Sequence, residues 1–341
     1  KVDNLKINTS GRGIKIDDQY VGAPAKVTLD ISNSTFKTAK KAAIMVKSVE
    51  GADITVSDID ISNVTADKVF AVWVDEDAKA NADKVVVNGA LMKVEGDNAV
   101  IGAASTEELA NATIGDNATI YLAAGDYIIP STAKGKTLTI KGTGNPEDVK
   151  VAVTKVGTGG ENCDYAFDGS TVTFESITIT TNSSTYIGYA RCNGTYKNCV
   201  INGTYTLYGD SKFERCTFNV SGDVYNIWTW GAKNMEFDRC TFNSDGKALL
   251  LYQEGTNTVN LTVKSCIFND NGGLTSKKAA IEIGDASYGA TPTYNVTVSG
   301  TTVNGYEINN EGFNTGTTLW GNKNSMPAER LNVTIDGVNV Y

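Results

Sequence analysis

Four stretches of the chain repeat one short pattern: Lys-Asn-Cys199-Val-Ile-Asn, Glu-Arg-Cys216-Thr-Phe-Asn, Asp-Arg-Cys240-Thr-Phe-Asn and Lys-Ser-Cys266-Ile-Phe-Asn. Each sets a polar pair before a cysteine, then one variable residue, an apolar residue and an Asn. The cysteines stand 17, 24 and 26 residues apart, so a constant unit recurs with loops of unequal length. Repeats of this size are stacked supersecondary units, each burying its apolar side against its neighbours. The alternation inside each unit has period two, which belongs to a strand and not to a helix. These residues therefore predict an all-β chain, a β-solenoid. The 34 Gly against 5 Pro suit many short strands joined by many turns.

Charge and residue types narrow the function. The net charge is −9, Lys outnumbers Arg by 25 to 5, and no basic cluster occurs, which argues against nucleic acid or an anionic membrane surface as partner. The longest apolar runs, Ala42–Val46 and Ala248–Tyr252, are strand-sized and fall far short of the ~20 residues of a membrane span. The chain has no histidine. Ser-His and Cys-His nucleophile pairs, imidazole bases and His-ligated zinc are thereby excluded.

Residues 1–94 read as strands at Lys26–Ile31, Ala42–Val46, Ile54–Ile61, Val69–Val74 and Lys84–Val87. They form a divergent copy of the C-terminal end: Lys40-Lys41-Ala-Ala-Ile44 matches Lys277-Lys278-Ala-Ala-Ile281, and Ile54-Thr-Val56 matches Val296-Thr-Val298. Val72-Trp73-Val74 lies where Leu319-Trp320-Gly321 lies. Residues 1–94 are thus expected to be the C-terminal part of a first module, and 95–341 a complete second one. Lys1 falls inside a strand-like pattern, so the chain reads as a piece of a longer precursor. Ser105-Thr-Glu-Glu108 has the form of a capping box, predicting a short helix over 105–112 that covers an open solenoid end.

The helix, the Asp-Asn-Ala-Thr-Ile-Tyr-Leu-Ala-Ala-Gly-Asp-Tyr segment that follows it at 116–127 and the Cys-x-Phe-Asn coils resemble the pectin-lyase-like superfamily of right-handed parallel β-helices. The resemblance implies that fold, with tandem modules. It leaves function open, because the superfamily includes lyases, hydrolases, epimerases, tailspikes and adhesins.

Cys199, Cys216, Cys240 and Cys266 share one column, continued by Ile177, Thr301 and Val338, as expected of a buried rung. Cys163 and Cys192 lie off it and are candidates for a disulfide with each other. Twelve Asn-x-Ser/Thr sequons, Asn63, Asn193, Asn202, Asn260 and Asn332 among them, leave glycosylation or plain Asn-turn chemistry as readings.

The residues after each rung form a second alignment. Tyr189, Tyr208, Trp228 and Tyr252 fall at one position, with Trp230 beside them and Arg191, Asp210, Lys233, Glu254 and Asp285 flanking. In-register stacking makes the aromatics a carbohydrate-binding ladder, since flat rings pack on sugars while polar neighbours fix hydroxyls. The alternative is that half of them fill the core. The resemblance implies two catalytic routes open to a chain without His. One is a lyase with an Arg or Lys base and carboxylate-held Ca²⁺, the other a hydrolase with paired carboxylates. Arg191, Asp210, Lys233, Glu254 and Asp285 are the candidates for either. The Arg-x-Pro-x-x-Arg segment of pectate lyases and the Asp-Asp and Arg-His-Gly signatures of polygalacturonases are absent. Asp75-Glu76-Asp77, the densest acidic spot, is the candidate Ca²⁺ ligand set.

The resulting expectation is an extracellular microbial surface protein, adhesin-like, contacting polysaccharide or a host or cell-surface glycan. It carries no strong catalytic signature and does not insert in the membrane; tandem modules offer multivalency and self-association. The alternatives are a secreted polysaccharide lyase or glycoside hydrolase, and a surface-layer or filament repeat.

Overall fold

The computed structural model describes residues 2–9, 13–17, 28–32, 34–38, 42–47, 53–56, 59–60, 70–74, 85–87, 92–94, 100–103, 106–110, 114–142, 144–153, 167–181, 187–190, 192–253, 255–273, 278–284, 291–308 and 317–341. The fold is all-β with long parallel sheets, a right-handed parallel β-helix. Contacts divide the chain into two compact units, Lys1–Lys150 and Val151–Tyr341. No helix among the described residues is long and apolar enough to cross a membrane.

In the first unit the strands fall close to their predicted positions, with one informative departure. The single strand expected over Ile54–Ile61 is two, Asp53–Val56 and Ile59–Asp60, and they join different sheets. A solenoid turns its corners within a few residues, and an unbroken period-two pattern runs across such a corner. Val100–Ala103 pairs antiparallel with Met92–Val94 and parallel with Ala118–Leu122, so the strand direction reverses between Val94 and Val100. The expected helix spans Thr106–Ala110 and buries Leu109, while Ser105 lies outside the described residues. Thr106 Oγ1 donates to the Asp126 carbonyl at 2.9 Å and accepts from the Ile128 N–H, tying the helix to strand Gly125–Ile128.

The described residues of the second unit form three sheets. The first stacks Thr171–Glu175, Asn193–Lys197, Ser211–Glu214, Asn234–Asp238, Thr258–Lys264, Thr293–Ser299 and Leu331–Ile335. The second stacks Thr178–Thr181, Val200–Asn202, Thr217–Asn219, Thr241–Ser244, Ile267–Asp270 and Thr302–Asn304. The third stacks Ile187–Ala190, Tyr205–Leu207, Ile227–Thr229, Leu249–Leu251, Lys278–Ile283 and Thr317–Asn322. The corner from first to second sheet takes one left-handed residue in every coil: Ser176, Asn198, Arg215, Arg239, Ser265 and Gly300, with φ between 51° and 57°. The residue after it, Cys199, Cys216, Cys240 or Cys266, turns inward and is buried.

Each of these thiols donates to the carbonyl two residues back, at 3.3–3.5 Å. Thr301 does the same with its hydroxyl to the Ser299 carbonyl at 3.3 Å, while Ile177, buried at the same position after Ser176, fills the rung with an apolar side chain alone. Burial raises the Cys216 thiol well above its ordinary range; Cys240 and Cys266 are raised by the neighbouring thiol and by burial. Val338 is not the next rung. The chain turns back at Asp336-Gly337, and Val338 lies 60 % exposed on a strand antiparallel to Leu331–Ile335. Cys163 lies outside the described residues, and Cys192 is buried.

Aromatic stacks fill the interior. Phe174, Tyr196, Phe213 and Phe237 stack at centroid spacings of 4.8, 4.3 and 4.8 Å, and Phe218, Phe242 and Phe268 at 4.6 Å. Parallel in-register coils repeat every ~4.8 Å, which sets these ring separations. The closing Asn of each motif forms an amide ladder: Asn219, Asn243, Asn269 and Asn304 each donate Nδ2 to the Oδ1 of the preceding coil's Asn at 2.7–2.9 Å.

Candidate functional site

The corner from the third sheet to the first carries the aromatic residues. Tyr205, Ile227, Leu249 and Ile281 are register partners in the third sheet, all buried. Three residues further on stand Tyr208, Trp230 and Tyr252, all half-buried. Tyr208 and Trp230 stack at 6.2 Å and 18°, and Trp230 meets Tyr252 edge-on at 5.6 Å. Trp228, also half-buried, packs against Trp230 at 5.6 Å and Tyr252 at 5.9 Å. Four expected ligand-contacting rings therefore meet in one cluster drawn from three successive coils.

The register differs from the sequence alignment. Trp228 pairs with Thr206 and Leu250, so Trp230 is the rung between Tyr208 and Tyr252. Tyr189 pairs with Thr206 across an irregular register, which separates it from the Tyr208 position; its side chain lies outside the description. One signal marks the true register: Tyr208-Gly209 and Trp230-Gly231 are both aromatic-Gly pairs. A Cβ on Gly209 would stand 2.1 Å from the Cys192 carbonyl oxygen, and one on Gly231 would stand 2.9 Å from that of Tyr208. Each glycine lets its corner pass against the backbone of the coil before it. Thr229 Oγ1 both donates to the Tyr252 carbonyl and accepts its N–H, fixing that ring's backbone.

Two residues beyond Tyr208, Asp210 opens onto the first sheet. Its Oδ1 accepts from the N–H groups of Lys233 and Asn234 at 2.9 Å, and its Oδ2 from Asn234 Nδ2 at 2.7 Å. Burial alone would raise its carboxyl, but the bonds from Asn234 and Lys233 outweigh it and hold the pKa below the ordinary value. Asp210 is therefore an ionised anchor for the next coil's corner, and Lys233 meets it through its backbone. Beside it a groove of about 380 Å³ runs over the outer face of the first sheet, lined by Asn193, Thr195, Asp210, Lys212, Asn234, Glu236, Asn260 and others. A second hollow of about 520 Å³, lined by Asp168, Ser170, Asn193 and Tyr208 among others, adjoins it at Asn193.

Arg191, Glu254 and Asp285, and the acidic run Asp75, Glu76 and Asp77, lie outside the described residues. Among the described residues no three His, Cys, Asp or Glu side chains are grouped to hold a metal. The groove carboxylates do not fit Ca²⁺ either: Asp210 spends both oxygens on N–H donors, and Glu236 pairs with Lys212 at 3.3 Å. A Ca²⁺ ion needs six to eight oxygen ligands, which this face does not assemble.

Sequence reasoning missed an ionic cluster on the third sheet. Glu282, 1 % exposed, accepts at Oε2 from Tyr225 Oη at 2.6 Å and Lys323 Nζ at 2.7 Å. Burial and the Glu282 charge raise the Tyr225 phenol well above its usual range. These partners are 57 and 41 residues from Glu282 in sequence, and no local motif announces them. Comparison with protein-family models, with curated proteins and with solved structures returns no match for this chain.

Proposed function

We propose that the chain is a carbohydrate-contacting β-helix of a microbial cell surface, adhesin-like and of the pectin-lyase-like kind, without catalysis of its own. The observation that carries the reading is the cluster of Tyr208, Trp228, Trp230 and Tyr252. Four half-buried rings from consecutive coils stand side by side next to a polar groove. Rings held by a rigid sheet lose little entropy on binding, and a sugar's C–H face packs on them while groove amides take its hydroxyls. A protein acting by adhesion needs no general acid. Asp210 is held ionised, which suits an anchor and not a proton donor.

The test is binding to immobilised polysaccharides, with new chain ends assayed in parallel. Trp230→Ala should lower glycan affinity about tenfold, in line with ~0.5–1.5 kcal/mol for an aromatic stacking contact, with the fold intact by circular dichroism. Release of new chain ends, or unchanged binding in Trp230→Ala, would refute the reading.

A further inference from the structure

The outer face of the first sheet has a chemical regularity that the aromatic cluster does not use. Asn234, Asn260, Asn295 and Asn332 are register partners, one per coil. Asn260 Nδ2 donates to Asn234 Oδ1 at 2.9 Å and Asn295 Nδ2 to Asn260 Oδ1 at 3.0 Å, while Asn234 Nδ2 donates to Asp210. A carboxamide has two N–H donors and an oxygen with two lone pairs. The ladder takes one of each from Asn234 and Asn260, leaving one donor and one acceptor per coil on an exposed face. A sugar hydroxyl is itself both donor and acceptor, so it matches this surface every ~4.8 Å along the solenoid.

Charge decides what kind of chain fits. The groove holds two carboxylates, Asp210 and Glu236, against one ammonium, Lys212. Lys212 is already engaged at 3.3 Å by both Glu214 and Glu236. The whole chain carries a net −9. A polyuronate would bring negative charge to a face with no uncommitted cation among its lining residues, whereas a neutral polymer meets only amides, hydroxyls and rings. Tyr208, Trp230 and Tyr252 run from coil to coil in the same direction at the neighbouring corner.

We propose that this face binds a neutral, hydroxyl-rich linear polysaccharide lying lengthwise along the solenoid, with its hydroxyls on the Asn193–Asp210–Asn234–Asn260 line and the aromatic rings along its edge. The inference rests on the glycan-contacting reading and adds the polymer's class and its direction. It also accounts for the sequons: Asn193, Asn260, Asn295 and Asn332 each precede by two a Thr of the same outward face, so Asn-x-Thr arises from two adjacent binding columns.

The test is calorimetry with oligomers of glucose, xylose or mannose of two to seven units, and with oligogalacturonates of the same lengths, at low and high NaCl. Affinity for at least one neutral series should climb with each unit to about five, the number of coils lining the groove, with little salt dependence. Thr262→Arg, an exposed groove position, should cut affinity for the longest oligomer at least tenfold and flatten the length dependence. A plateau at two units, a preference for uronates that salt abolishes, or indifference to Thr262→Arg overturns the lengthwise neutral polymer and leaves glycan contact standing. No binding to any oligomer of either kind, or binding indifferent to Trp230→Ala, overturns the parent reading itself.

Discussion

Phe237 gives the sharpest test of how the solenoid is held together. Its side chain is fully buried. Its ring stacks on Phe213 at 4.8 Å and 2° and meets Phe218 and Phe242 edge-on at 5.8 and 5.4 Å. Phe→Ala in a core costs about 3–5 kcal/mol, the higher figures where the site cannot collapse. Here the register partners on either side, Phe213 and Val263, are fixed by in-register backbone hydrogen bonds, so collapse is blocked, and the lost ring pairs add to the transfer term. Phe237→Ala should therefore cost about 4–5 kcal/mol. In a unit the size of Val151–Tyr341 each kcal/mol lowers Tm by ~2–4 °C, which gives a fall of roughly 8–20 °C. The assay is urea unfolding followed by far-ultraviolet circular dichroism, with a thermal melt alongside. Ile267→Ala, 39 % exposed on the second sheet, is the control and should cost under about 0.5 kcal/mol. A Phe237→Ala cost below about 2 kcal/mol, or one no larger than the control, would refute a core built on continuous ring stacks.

Three further outcomes follow from the corners and charges. Asp210→Asn should lower stability by no more than about 1 kcal/mol, since the site is solvent-screened. It should also remove an acid limb from the Tm–pH profile: a depressed folded pKa stabilises above the unfolded value near 4 and the gain is lost as pH falls through the folded one. An acid limb identical in both proteins would show that the anchor is not ionised. Gly209→Ala places a Cβ 2.1 Å from the Cys192 carbonyl and should cost about 1–3 kcal/mol and weaken glycan binding, because Tyr208 and Asp210 move together; a neutral effect on both would mean the corner is pliant. Lys278→Met strands the buried Asp270 carboxylate, which Lys278 Nζ contacts at 2.9 Å, and should cost about 3–5 kcal/mol. Adding Asp270→Leu should recover most of that in a double-mutant cycle, and an additive double mutant would count against a coupled pair.

What the sequence determined by itself was the class of structure and its inward faces. A period-two pattern repeated at near-constant content names a strand stacked on copies of itself, and the Cys199, Cys216, Cys240 and Cys266 column identifies the buried rung. The left-handed corners at Asn198, Arg215, Arg239 and Ser265 carry no common residue type, so the turn before each cysteine was not legible. The aromatic register was not legible either. Placing Trp228 beside Tyr208 and Tyr252 errs by two residues, and a slip of two preserves every inward and outward assignment, so alternation cannot detect it. Only the interstrand hydrogen bonds, with the close approaches at Gly209 and Gly231, decide that Trp230 is the rung. The role of Asp210 and the meeting of Tyr225, Glu282 and Lys323 belong to the tertiary structure alone. Loops of unequal length carry distant residues to adjacent coils, and no local pattern encodes which ones meet.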